Sequence, residues 1–367
     1  MPRPWFSRSR NRSARWSRPL AALTAFVVGA GLVGFVATEA GAQSSGGGLD
    51  VRTIQSKVDP AVVTINTTLA GGQGQAAGTG MVIGSSGEIL TNNHVIENSS
   101  ALRIQIGGAG RSYSANVLGY NVSEDVALLK IDGVSGLATV HPDTNVTVGE
   151  SIVALGNAGG RGGTPDAAPG AVRGVGETIQ VADSSGSQTL RNLIRVDAAL
   201  QPGDSGGPLA DAQGDVVGMN TAASTGGGFR LRTGTGSGEG YAVPIKTAMS
   251  VADQIKSGQG SGDTHVGQRA FLGVSIRTSL GSRSGSPNAR SGGAMVGGVQ
   301  SGSPADDAGL QQGDTIVTLA GKSISSIDDL TSALAPHHPR DKVDVGWADS
   351  SGNHHTAQVT LASGPPA

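Results

Sequence analysis

The stretch Gln201-Pro202-Gly203-Asp204-Ser205-Gly206-Gly207-Pro208 sets one serine hydroxyl among glycines. A serine is a poor nucleophile near neutral pH. Attack on an acyl carbon therefore needs a base beside it and N–H groups aimed at the oxygen that gains charge. With no Cβ on Gly203 or Gly206, the backbone can turn tightly, and a carbonyl can approach the expected oxyanion donors, the N–H groups of Gly203 and Ser205. A base and an orienting acid are available upstream. His94 stands in Thr91-Asn92-Asn93-His94-Val95-Ile96, after the strand-like Ile89-Leu90, and Asp125 directly precedes the apolar run Val126-Ala127-Leu128-Leu129. In a chain with 7 histidines and 60 glycines any one of these segments alone is commonplace, so the catalytic reading rests on all three occurring together.

The segments that must position these residues are mostly short strands. Candidates are 61–67, 80–83, 88–90, 102–106, 114–119, 126–131, 151–155, 190–196, 216–219 and 240–243. Leu102, Ile104 and Ile106 alternate with Arg103 and Gln105, the period-two pattern of a half-buried sheet. Many such strands between Gly/Asn/Asp/Ser turns predict a barrel or a sandwich. The period then changes: Ile245, Ala248, Met249, Ala252 and Ile255 recur at helical spacing between Pro244 and Gly258. The Gly/Ser-rich run after Ser257 reads as a linker over 258–267, since nothing in its 257–263 stretch can bury apolar surface. Beyond it, Phe271-Leu272-Gly273-Val274 is strand-like and Ser303-Pro304-Ala305-Asp306-Asp307-Ala308-Gly309 is a capped short helix. Ile327, Leu330 and Leu334 mark a second helix, and 343–347 and 356–361 two closing strands.

Composition narrows the class. A net charge of −2 gives no long-range attraction to nucleic acid. The absence of cysteine excludes thiol catalysis and thiolate metal sites, and leaves packing alone to hold the fold. Arg3, Arg8, Arg10, Arg12, Arg15 and Arg18, then the apolar 20–37 segment, then Ala40-Gly41-Ala42, have the order of a secretory signal cleaved after Ala42, with an uncleaved anchor as the alternative. The expected domains are a signal at 1–42, a flexible leader at 43–48, a catalytic domain at 49–257, the linker at 258–267 and a small domain at 268–363.

Gly-Asp-Ser-Gly-Gly-Pro resembles the active-site signature of chymotrypsin-like serine proteases, and the order His, Asp, Ser is theirs. The 268–363 segment resembles a bacterial PDZ domain in Gly302-Ser303-Pro304-Ala305, Ala308-Gly309-Leu310, Gly313-Asp314 and Asp328-Asp329-Leu330. Together they resemble the HtrA/Deg family of exported serine proteases over nearly all the chain after residue 49. The likeness is strongest to a secreted mycobacterial branch of it. The resemblance implies a mainly β fold, a chymotrypsin-like double β-barrel followed by a small α+β PDZ domain, with His94 and Asp125 on the first barrel and Ser205 on the second. It implies a triad acting on unfolded protein or peptide substrates without cofactor or metal. Peptide C-termini would bind at Phe271, Leu272, Gly273 and Val274 of the PDZ domain. The substrate pocket would draw on Ala199, Leu200, Asn220, Thr221 and Ala222. A homotrimer stays open, because the leader lacks the aromatic residues that often build HtrA trimers. Asp204 stands where many family members carry asparagine, and no zymogen-like activation sequence precedes the strands to supply an amine for it. The alternative function is a peptide-binding chaperone or stress sensor with an idle protease, which a missing triad member would have favoured; none is missing.

Overall fold

The computed structural model describes residues 49–69, 74–182, 187–223, 230–231, 239–260, 263–277 and 293–366. The expected signal and leader lie outside these residues. Helix α1 (Val51–Val58) is capped by Asp50, whose carboxylate accepts the Thr53 N–H at 3.2 Å, and it buries Ile54 and Val58 against Val153 and Leu155.

The first barrel consists of β1 (Val62–Leu69), β2 (Gln75–Gly84), β3 (Glu88–Thr91), β4 (Ser99–Ile106), β5 (Ser112–Asn121) and β6 (Val126–Ile131), with helix α2 (Asn93–Ile96) between β3 and β4. The order β5-β4-β1-β2-β3-β6 closes on itself because β5 also pairs with β6. In β4, Leu102 and Ile104 are buried and Arg103 is exposed, as the alternation requires. The second barrel is built from β7 (Ser151–Gly156), β8 (Asp166–Ala182), β9 (Ser187–Val196), β10 (Pro208–Asp211), β11 (Val216–Ala223), β12 (Arg230–Leu231) and β13 (Gly240–Pro244). It closes through the β10–β11 and β8–β9 pairings. Sequence patterning misses β8, β10 and the two-residue β12. Pro169, Gly170, Gly174 and Gly176 interrupt β8, yet it spans 17 residues, with register shifts near the last two glycines. Long-range pairing with β7 and β9 outweighs the local propensity.

Helix α3 (Ile245–Lys256) buries Ile245, Ala248, Val251, Ala252 and Ile255 in a core shared with Leu128, Val216 and Met219, so one apolar cluster spans both barrels. Gly258, at φ +72, ends the helix: its N–H donates to Ile255 O at 3.1 Å and the Gln259 N–H to Gln254 O at 3.1 Å. The linker is shorter than its composition suggests. Thr264–Val266 forms strand β14, which pairs with Gly119–Asn121 of β5, and the buried Thr264 hydroxyl meets the Asn121 amide at 2.8 Å.

The C-terminal module contains β15 (Arg269–Phe271), β16 (Val274–Ile276), β17 (Ala294–Val299), α4 (Pro304–Asp307), β18 (Thr315–Leu319), β19 (Lys322–Ser323), α5 (Ile327–Leu334), β20 (Lys342–Ala348), β21 (His354–Thr360) and β22 (Ala362–Gly364). Ser303 and Ser326 cap its helices by accepting the N–H groups of Asp306 and Asp329. Leu272, Val296, Leu310, Ile316, Leu330, Val345 and Trp347 share its core. After β22 the chain returns to the first barrel, where Pro366 is buried and its carbonyl accepts the Asn98 N–H at 3.0 Å.

Candidate active site

Asp125 follows the β5–β6 turn with φ +52, a conformation that costs an L residue about 1 kcal/mol or more. It is 1% exposed. What the turn achieves is direction: the carboxylate faces α2, where its Oδ1 accepts the His94 backbone N–H at 3.0 Å and its Oδ2 lies 2.9 Å from His94 Nδ1. A carboxylate only accepts, so this contact calls for the proton on Nδ1, which makes Nε2 the acceptor nitrogen of the ring. The Asn92 amide donates to the Asp125 carbonyl at 2.9 Å. From the second barrel, the buried Thr221 hydroxyl donates to Asp125 Oδ2. Ser205 Oγ donates to the Thr221 carbonyl at 3.1 Å. Thr221 thus joins the serine to the acid across the barrels, a role its place in a generic strand does not signal.

The loop around Ser205 turns on two glycines. A Cβ at Gly203 (φ +103) would stand 2.2 Å from Asn157 O, and one at Gly206 (φ +85) 2.1 Å from Thr79 O. The N–H groups of Asp204, Gly206 and Gly207 donate to Gln201 O, Asn220 O and Asp204 O, which leaves those of Gly203 and Ser205 without an acceptor among the described residues.

Of the expected pocket residues, Ala199 is exposed between the buried Ala198 and Leu200, and Leu200 packs into the core of the second barrel. Asn220 donates its amide to Leu155 O and Pro208 O at 3.2 and 3.3 Å, so this group faces the barrel interior. Ala222 lies on β11 opposite Tyr241. In the C-terminal module Phe271 ends β15, Leu272 is buried, Gly273 takes φ +90 and Val274 starts β16. A Cβ at Gly273 would sit 2.1 Å from that of Ser303, so glycine is required there. Among the described residues no group of three potential metal ligands could hold an ion.

Asp204 is 6% exposed; Oδ2 accepts the Gln201 N–H at 2.8 Å and Oδ1 has no partner among the described residues. Burial, reinforced by the negative charge of Asp166, raises its pKa from 3.8 to about 6. The folded state therefore holds this proton more tightly than the unfolded chain. The loop is at its most stable below about pH 4 and loses stability as pH rises toward about 6, by roughly 1–3 kcal/mol. Asp204→Asn removes the buried charge and keeps an acceptor for Gln201. It is expected to raise the melting midpoint at pH 7.5 and leave it nearly unchanged at pH 4. Asp59, raised to about 6 by burial alone, contributes the same slope in both proteins and so does not enter the difference. Equal midpoint shifts at the two pH values would contradict the assignment.

Comparison with known proteins agrees with this architecture. Residues 78–219 match the trypsin-like peptidase domain family and residues 295–346 the PDZ domain family. The serine protease PepD of Mycobacterium tuberculosis is 30% identical, with 98% of this chain and 80% of that protein covered. The serine protease Do-like HtrA of Lactococcus lactis is 31% identical, with 78% and 70% covered. A probable periplasmic serine endoprotease, DegP-like, of Marinomonas is 34% identical, with 80% and 58% covered. With two barrels followed by a PDZ domain, and relatives of this length and identity, the chain belongs to the HtrA family of trypsin-like serine endopeptidases.

Proposed function

We propose that this protein is an exported endopeptidase that hydrolyses unfolded proteins through Ser205, His94 and Asp125, with its PDZ domain binding peptide C-termini, in quality control of the cell envelope. The observation that carries the reading is the buried Asp125 carboxylate, held at once by the His94 backbone, the His94 ring and Thr221. That arrangement presents Nε2 of His94 as the base. The Ser205 hydroxyl swings from the Thr221 carbonyl to Nε2 and loses its proton there as Oγ bonds to the scissile carbon. Charge on the carbonyl oxygen is met by the N–H groups of Gly203 and Ser205. The imidazolium, stabilised by Asp125, then protonates the leaving amine; water attacks the acyl group by the same route and frees the serine. Export is supported by the Arg-rich, apolar and small-residue order of residues 1–42 and by the periplasmic relative. Hydrolysis of unfolded casein by the mature chain, blocked by a peptidyl phosphonate that labels Ser205, is the expected result. Phosphonate labelling elsewhere, or casein left intact, contradicts the proposal and favours the chaperone reading.

The PDZ reading has its own test. Peptides add as a strand to an exposed sheet edge, and backbone N–H groups near a glycine-containing loop hold the terminal carboxylate. Strand β16 is at the edge of its sheet and directly follows Leu272-Gly273. The Ser205→Ala chain, which leaves the ligand intact, is expected to bind peptides with free apolar C-termini and to bind their amidated forms at least about tenfold more weakly. Equal affinity for acid and amide, measured by fluorescence polarisation, rules this mode out.

A further inference from the structure

Thr79 lies on β2 of the first barrel, contributes nothing to the triad and is fully buried. All its polar groups are nevertheless committed to segments that carry the site. Its hydroxyl donates to the Gly203 carbonyl at 2.6 Å and accepts the Asn157 N–H at 2.8 Å. Its backbone N–H donates to the Ser205 carbonyl at 2.9 Å, and its own carbonyl accepts the hydroxyl of Thr91, three residues before His94, at 2.7 Å.

The geometry assigns Thr79 as a positioning residue for the oxyanion donor, an inference that rests on the triad reading above. The Gly203 N–H belongs to the peptide plane that also carries the Pro202 carbonyl, and in a trans peptide the two point in opposite directions. The Pro202 carbonyl is held by the Gly159 N–H at 2.7 Å. Gly159 belongs to the turn that starts at Asn157, whose N–H is held by the Thr79 hydroxyl. On the other side of Gly203, the same hydroxyl holds the next carbonyl. The hydroxyl therefore restrains Gly203 directly through its carbonyl and the Pro202 carbonyl indirectly through the 157–159 turn, and so aims the Gly203 N–H at the place where the substrate oxygen gains charge. Glycine at 203 is free to rotate, which is why the restraint has to come from a neighbour.

Thr79→Val keeps the shape and removes the hydroxyl, leaving the Gly203 carbonyl and the Asn157 N–H unmatched. On a short peptide anilide, kcat is expected to fall about tenfold to a hundredfold, short of complete loss of a donor, while KM stays within about twofold. Affinity for a peptidyl aldehyde, whose tetrahedral adduct needs the same donors, falls by the same factor, whereas a role in folding alone would leave that affinity unchanged. Thr79→Ser restores both to within about threefold. Should the valine variant not fold, Thr79→Ala against Thr79→Ser, compared below both melting midpoints, carries the same contrast. A kcat for Thr79→Val within about threefold of the parent, a serine variant as impaired as the valine or alanine variant, or an unchanged aldehyde affinity overturns the inference. Each of these leaves the triad standing as long as Ser205→Ala is inactive; activity in Ser205→Ala overturns the triad reading instead.

Discussion

Ser205→Ala is expected to lower peptide-bond hydrolysis by about a millionfold, the scale on which loss of an attacking serine acts, with secondary structure intact. Among the described residues the hydroxyl makes one hydrogen bond, to the Thr221 carbonyl at 3.1 Å, so its loss removes the attacking atom but little packing. His94→Ala is expected to give a comparable loss, because the proposed mechanism makes the two residues act as a unit. The double variant should then be no worse than either single one. Rates on a peptide anilide, with circular dichroism to verify folding, decide this. Cleavage near the parent rate in either single variant excludes the assigned nucleophile or base.

The second large effect concerns the residue before the scissile bond. The resemblance to trypsin-like proteases leads us to expect the pocket for that side chain between the segment upstream of Ser205 and the strand after it, Ala198-Ala199-Leu200 and Met219-Asn220-Thr221-Ala222. Neither contains an acid. The Asn220 amide is already committed to backbone carbonyls, the Thr221 hydroxyl to Asp125, and Met219 is fully buried. A lysine or arginine entering the expected pocket would meet no acid from either segment, at a cost of several kcal/mol, or at least about a hundredfold in rate. Cuts are therefore expected after small to medium aliphatic residues such as valine, alanine or leucine. Digestion of an unfolded protein followed by sequencing of the fragments tests this; a majority of cuts after lysine or arginine is incompatible with the pocket. Ala199→Asp, at the exposed position in the upstream segment, is expected to move cleavage toward those two residues.

Motifs and strong periodicity were legible without coordinates. The loop around Ser205 needs glycine where φ is positive, so Gly203 and Gly206 announce it, and the strand of β6 (Val126–Ile131) follows from an apolar run with clear ends. Helix α3 and the cap of α4 follow from Pro, Gly and Ser at positions where only local geometry matters, and α5 from the spacing of its apolar residues. Where stabilisation comes from distant partners, local reading fails. Strand β8 contains proline and glycine that argue against it, and it exists because β7 and β9 pair along it. Strand β14 lies in a segment read as linker, because its partner β5 is far upstream. The same holds at the site. The identities of His94, Asp125 and Ser205 come from the amino-acid order, but Thr221 reaches Asp125 across 96 residues and Thr79 reaches Gly203 across 124. A threonine on a strand has no signature of its own. Its hydroxyl acquires a role only when the two barrels close and place a carboxylate or a carbonyl within 3 Å, so the supporting contacts are decided by tertiary structure, as is the burial that raises the pKa of Asp204.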